Sequence, residues 1–157
     1  MTETQFATRL NSFKSGSETY WPGKNRITAI DLATRAATVK GLNAVDLNYP
    51  DHLDATTPKE FAGRLADLGL ALNGFAMRYY TEPAYKRGAF TNPDAAIRRK
   101  AIDLTKRGID AMGEAGGDLM TLWLGQDGFD YAFQIDYARA WDMEVEAIAE
   151  CCAYDPA

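Results

Sequence analysis

Four short apolar runs alternate with four amphipathic segments along this chain, and that alternation constrains its fold more than any single motif does. The runs are residues 7–13, 44–48, 70–76 and 118–124; their apolar residues and Gly, Ser or Asn boundaries give a strand pattern. Thr28 is placed to cap a helix whose apolar positions Ile30, Ala33 and Ala37 recur at helical spacing before Gly41. The string Thr57-Pro58-Lys59-Glu60 combines a capping threonine, proline at the first helical position and glutamate at the third, with Phe61, Leu65 and Leu68 following on one face. Asn92-Pro93-Asp94 opens a third helix with Ile97, Ala101, Leu104, Gly108 and Ala111 on one stripe. Asp136 caps a fourth, with Tyr137, Trp141, Val145, Ile148 and Cys152 in register. A helix between consecutive strands returns the chain to the same strand direction, so the class is α/β: four consecutive βα units with parallel strands. Pattern alone leaves two architectures open, a small doubly wound sheet and half of a (β/α)8 barrel.

Composition narrows the partners. With 157 residues, 46% hydrophobic and 25% charged, the chain reads as one globular domain over residues 1–157. Its 17 Lys and Arg against 22 Asp and Glu give a net charge of -5, so a general attraction to phosphate backbones is lacking and nucleic acid is not expected as a partner. The basic run Arg98-Arg99-Lys100 falls within a helical pattern and reads as a solvated face. No run of about 20 apolar residues and no apolar leader is present, which gives an expectation of a cytoplasmic chain that makes no membrane contact. Cys151 and Cys152 are adjacent, a spacing that suits neither a disulfide framework nor metal ligation.

The string Gly88-Ala-Phe-Thr-Asn-Pro-Asp94, then Arg98 and Ala101-Ile102, then Leu122-Trp-Leu-Gly-Gln-Asp-Gly128, resembles the xylose-isomerase-like barrel family of sugar isomerases and epimerases. The segment from Phe129 to Tyr137 with Trp141, and Asp46-Leu-Asn-Tyr-Pro-Asp-His52, resemble its bacterial ketose and aldose isomerase members. The resemblance selects the half barrel over the doubly wound sheet. It implies a parent of about 250 residues or more, with this chain as an N-terminal half truncated before strand five. It implies a small-molecule substrate, a sugar or sugar phosphate. It also implies a divalent metal such as Mn or Mg in the full-length parent, held by carboxylates and a histidine on later strands, with none expected in this chain.

Interconverting aldoses and ketoses requires a base that moves a proton between neighbouring carbons, or a divalent cation that supports a hydride shift. His52 is the only imidazole, so a metal site built from two histidines of one chain is excluded. The catalytic residues stay unassigned. For substrate binding, the resemblance points to His52 in the loop after the second strand and to Trp123 at the end of the fourth, where an indole face shields sugar carbons. It points also to Gln126 and Asp127, with Asp130, in the following Gly-flanked loop. Asn11 and Asn48, at the ends of the first two strands, could line the same mouth, and Trp21 with Tyr20 could form an aromatic wall. Each has an ordinary alternative in turn, cap or core packing.

The expected activity is therefore that of half a sugar isomerase or epimerase, inactive alone. The alternative is a non-catalytic sugar-binding or scaffold half barrel that associates with a second chain. An open half barrel exposes sheet edges, so a homo-oligomer or a separate C-terminal half is the expected macromolecular partner. The DNA endonucleases of the same fold family, which use several histidines and basic loops, are disfavoured by one histidine and the net negative charge.

Overall fold

A computed structural model describes residues 4–53, 56–124, 129 and 133–154. Gln126, Asp127 and Asp130 lie outside the described residues. The strands are β1 (Ala7–Arg9), β2 (Ala44–Tyr49), β3 (Ala71–Arg78) and β4 (Met120–Trp123). The helices are α1 (Ser17–Tyr20), α2 (Ala29–Ala36), α3 (Pro58–Asp67), α4 (Ala95–Glu114) and α5 (Tyr137–Cys152). The strands form one parallel sheet in the order β1-β2-β3-β4, the order of the chain itself. Ala7, Thr8 and Arg9 pair with Ala44, Val45 and Asp46.

The helices begin where the sequence puts their caps. The Thr28 side chain accepts the N–H of Asp31 while the Asp31 carboxylate accepts the N–H of Thr28, and Thr57 and Glu60 repeat the arrangement for α3. These reciprocal bonds satisfy amide donors that the first turn leaves unpaired. The hydrogen-bonded caps also favour the two carboxylates in their charged form. Glu60 has its pKa lowered by the Thr57 amide and hydroxyl. Asp136 accepts from the N–H of Arg139 at the start of α5. Gly69, at φ 72°, takes the left-handed conformation that ends α3.

The first strand is shorter than its pattern suggests. Pairing with β2 stops at Arg9, and residues Leu10–Lys14 form a 3-10 helix that buries Leu10 and leaves Asn11 exposed. The loop that follows contains the short helix α1, which the pattern did not suggest.

Two compact units are distinguishable, residues 1–76 with 111–121 and residues 77–110 with 122–157. In the first, Val45 and Leu47 of β2 pack with Leu32 and Ala36 of α2, Phe61 and Leu65 of α3, and Phe75 of β3. In the second, Tyr79, Tyr85 and Phe90 form a buried aromatic cluster with ring centroids 5.4 and 5.8 Å from Tyr79. The Tyr79 hydroxyl lies 2.6 Å from that of Thr105, which donates to the Ala101 carbonyl, so the buried hydroxyl of Tyr79 is paired.

The basic run on α4 is engaged rather than merely solvated. Arg98 donates to the carbonyls of Asn92 and Pro93 and so ties α4 to its own entry turn. Arg99 holds Glu150 of α5 through two bonds of 2.5 and 2.9 Å, and Lys100 pairs with Glu82. The α5 stripe is a second departure. Ala147 and Cys151 are the buried positions of that helix, whereas Tyr137, Trp141 and Val145 are exposed, Trp141 by 70%.

Candidate functional site

Alternation along β2 sets up the site. Side chains of a strand point to opposite faces in turn, so Val45 and Leu47, which meet the helices, leave Asp46 and Asn48 on the other face. Asp46 accepts a bond of 2.7 Å from the Asn73 amide of β3, and its register partner on β1 is Arg9. Arg9, Asp46 and Asn73 thus sit on three successive strands as polar positions at similar depth. Arg9 and Asn73 are not among the sequence-derived candidates, and Asp46 enters there only at the head of the segment Asp46–His52; the signal lies in the polar residues that interrupt Ala-Val-Asp-Leu-Asn and Ala-Leu-Asn-Gly-Phe.

Asn48 lies nearer the C-terminal end of β2 and is 1% exposed. Among the described residues neither its side-chain oxygen nor its side-chain nitrogen has a hydrogen-bond partner. An unpaired buried amide is unfavourable by about 1–3 kcal/mol, and such groups call for an explanation.

His52 stands beside it. The 3-10 turn Asp51–Leu53 brings the ring back so that Nδ1 accepts the main-chain N–H of Asn48 at 3.0 Å. A backbone N–H can only donate, so Nδ1 carries a lone pair and a neutral ring must hold its proton on Nε2. Tyr49, between them in sequence, stacks on Phe75 at 6.0 Å between centroids. Of the sequence-derived candidates, Asn48 and His52 are therefore brought together.

The others are placed separately. Asn11 is exposed in the 3-10 segment. Trp21 is partly buried against the first unit's core, with its centroid 6.1 Å from that of Tyr20; the Arg35 guanidinium lies 3.4 Å from the Tyr20 centroid and 5.9 Å from that of Trp21. In the second unit Trp123 ends β4 and is 49% exposed, not the core tryptophan its apolar neighbours allowed. Gln126 and Asp127 fall outside the described residues.

A second buried polar atom without a partner among the described residues is the Tyr85 hydroxyl. Burial first, and then the Glu82 carboxylate, pushes its pKa up to about 12, which keeps it protonated and a donor. Nothing in the sequence distinguished this tyrosine from its neighbours.

No group of three or more His, Cys, Asp or Glu side chains comes together among the described residues. Asp46 is bonded to Asn73, and His52 Nδ1 to the Asn48 amide. The Asn48 amide can both donate and accept hydrogen bonds on this face.

Parallel strands in chain order with helices between them define an α/β chain of barrel type. The model of the xylose isomerase-like TIM barrel family matches residues 34–156, and the chain belongs to that family. It is 27% identical over 122 residues to a xylose isomerase of Thermus thermophilus, covering 73% of this chain and 32% of that protein. It is 27% identical over 113 residues to a xylose isomerase of Paraburkholderia xenovorans, covering 72% of this chain and 24% of that protein. The chain therefore spans about a third or less of the curated relatives it matches. A solved structure titled as a xylose isomerase-like TIM barrel/4-hydroxyphenylpyruvate dioxygenase fusion protein superposes with a TM-score of 0.53 at 20% identity, over 94% of this chain and 21% of that one. That likeness shows the fold.

Proposed function

We propose that this chain forms the N-terminal half of a sugar isomerase or epimerase, inactive until four further βα units complete the barrel. The observation that carries the reading is the buried Asn48 amide, whose donor and acceptor both lack partners at the C-terminal end of a barrel-type strand. Active sites of this fold are built at that end. A vicinal diol offers a hydroxyl to each amide atom, so a sugar would relieve the cost that the free chain carries.

His52 is assigned as a positioning donor to the sugar and not as the base. With Nδ1 accepting from the Asn48 amide and the proton on Nε2, the ring can polarise a carbonyl or hold a hydroxyl, but it has no lone pair with which to take a carbon-bound proton. Trp123, partly exposed at the end of β4, is assigned as an apolar platform for sugar C–H groups. Gln126 and Asp127 are proposed as further hydroxyl partners from the loop after β4. The divalent metal that supports a hydride shift is assigned to strands beyond the fourth, since the described residues offer no suitable cluster.

Titrating isotopically labelled chain with aldoses and ketoses, and following amide resonances, tests the reading. The Asn48 side-chain NH2 pair and the His52 ring are expected to shift with at least one sugar, and N48L is expected to abolish the response. No response to any sugar would overturn the proposal. Binding by a completed barrel that never interconverts the sugar, with manganese supplied, would favour the sugar-binding scaffold instead.

A further inference from the structure

In the first unit, the main chain of residues 16–24 hydrogen-bonds only within itself among the described residues. The amides of Thr19 and Tyr20 donate to the Gly16 carbonyl at 3.0 and 3.3 Å, that of Trp21 to the Ser17 carbonyl at 2.8 Å, and that of Lys24 to the Trp21 carbonyl at 3.1 Å. Gly16 at φ 67° and Gly23 at φ 74° stand near its two ends in the left-handed region. Glycine moves between positive and negative φ at little cost, so both positions can absorb the dihedral change of a hinge. A segment bonded to itself and bounded by two such residues can move without breaking a strand or a long helix.

Side chains hold this segment down, and Arg35 supplies most of the attachment. It stands in the last turn of α2, a helix anchored by buried Leu32, Ala33 and Ala36. Its Nη1 donates to the carbonyls of Phe13 and Ser15 at 2.6 and 2.7 Å, immediately before Gly16. The same guanidinium lies 3.4 Å from the Tyr20 ring centroid, and 5.7 and 5.9 Å from those of Phe13 and Trp21. A charged donor makes the stronger kind of hydrogen bond, and the ring faces attract the same cation. The planar guanidinium can stack on a ring while its edge donates, which an ammonium cannot do. The remaining attachments are the Lys24–Asp31 ion pair, partly exposed and so of small effect, and Trp21, which is half-buried against the core. One face of Tyr20 is thus occupied by the chain's own cation, and that face offers no wall to a ligand in this state.

We propose that residues 16–23 form a strap that opens as one unit about Gly16 and Gly23, that Arg35 is the latch holding it shut, and that opening bares the Tyr20 face. The inference rests on contacts inside the first unit and is independent of the sugar reading.

Amide hydrogen exchange, read residue by residue in the full chain with no ligand added, tests this. In the wild type the bonded amides of Thr19, Tyr20, Trp21 and Lys24 are expected to share one protection factor, because one opening exposes them all. That factor should lie below the protection of the Ala71 amide, which donates to the Asn43 carbonyl at 2.8 Å and reports on the sheet of the same unit. R35A should lower the shared protection by about tenfold or more while leaving Ala71 as in the wild type. R35K should lose nearly as much, since it keeps the charge but not the planar fork. Y20L, which keeps the carbonyl bonds and removes the stacked ring, should lower all four amides together by a smaller factor. Unrelated protection at the four amides of the wild type would overturn the proposal without recourse to any variant. So would an R35K chain as protected as the wild type, or a loss in R35A that Ala71 shares equally, which would make Arg35 a support of the whole fold and not a latch.

Discussion

The main-chain N–H of Asn48 donates to Nδ1 of His52 at 3.0 Å, while the Asn48 side chain, 1% exposed, has neither amide atom paired among the described residues. The backbone of this residue is satisfied and its side chain is not, so the two parts make separate predictions. Replacing the side chain with leucine removes an unpaired amide at similar volume. N48L is expected to raise stability to urea by about 1 kcal/mol or more, and to abolish any sugar response. Gain of stability with loss of binding would mark Asn48 as a group retained for its ligand, and denaturant titration beside the sugar titration checks both halves.

His52 separates in the same way. H52A removes the acceptor from a partly buried main-chain N–H and is expected to destabilise the fold by about 1–2 kcal/mol. An asparagine carbonyl occupies much the same position as Nδ1, so H52N should retain most of that stability while lacking the Nε2–H. Hydrogen exchange at the Asn48 amide reads the difference directly: faster in H52A, close to wild type in H52N, with sugar binding weakened in both.

Glu150 contributes one defined part of the acid response of the second unit. Hydrogen bonds from Arg99 and Lys106 lower its pKa from 4.5 to about 2. Folding depresses the value, so between those two limits the unfolded chain binds more protons at this site than the folded chain does. The stability from this network is complete above about 4.5 and is lost as pH falls toward about 2. The carboxylate is partly exposed and screened, so E150Q should change stability at neutral pH by only about 1 kcal/mol. The sharper reading is the pH profile: thermal midpoints of wild type and E150Q should converge as pH falls through that window.

Local chemistry was legible in the sequence wherever one short segment sets it. Thr57, Pro58 and Glu60 carry their own cap, and α3 starts at Pro58 as that string requires. The parallel class followed from strand and helix alternation, and the resemblance selected the barrel. What stayed hidden depends on partners remote in sequence. The end of β1 at Arg9 is decided by its pairing with Asp46, and the polar trio Arg9, Asp46 and Asn73 exists only once three strands are aligned. The α5 stripe misled for a related reason: periodicity shows that Tyr137, Trp141 and Val145 share a face, but not that Ala147 and Cys151 turn inward instead. Asn48 was read as one strand-end asparagine among several. Its significance lies in burial without a partner, which no spacing conveys.

Gly74 gives the most demanding test of the strand arrangement, because its role is set by the strand beside it. The N–H of Phe75 donates to the Leu119 carbonyl at 3.0 Å, joining β3 to the residue before β4. A Cβ built on Gly74 would lie 2.4 Å from that carbonyl oxygen and 3.0 Å from the Leu119 Cβ. The obstacle is main chain, which cannot rotate aside as a side chain can. G74A must therefore push the two segments apart or break the Phe75 bond, and is expected to destabilise by about 1–3 kcal/mol. An alanine that only removed backbone freedom from the unfolded chain would instead stabilise slightly. Urea titration of G74A beside G63A, where an added Cβ on α3 meets nothing within 4 Å, separates the two effects: G63A should be neutral to stabilising, and a G74A variant equally tolerated would mean that β3 and the segment before β4 do not approach this closely.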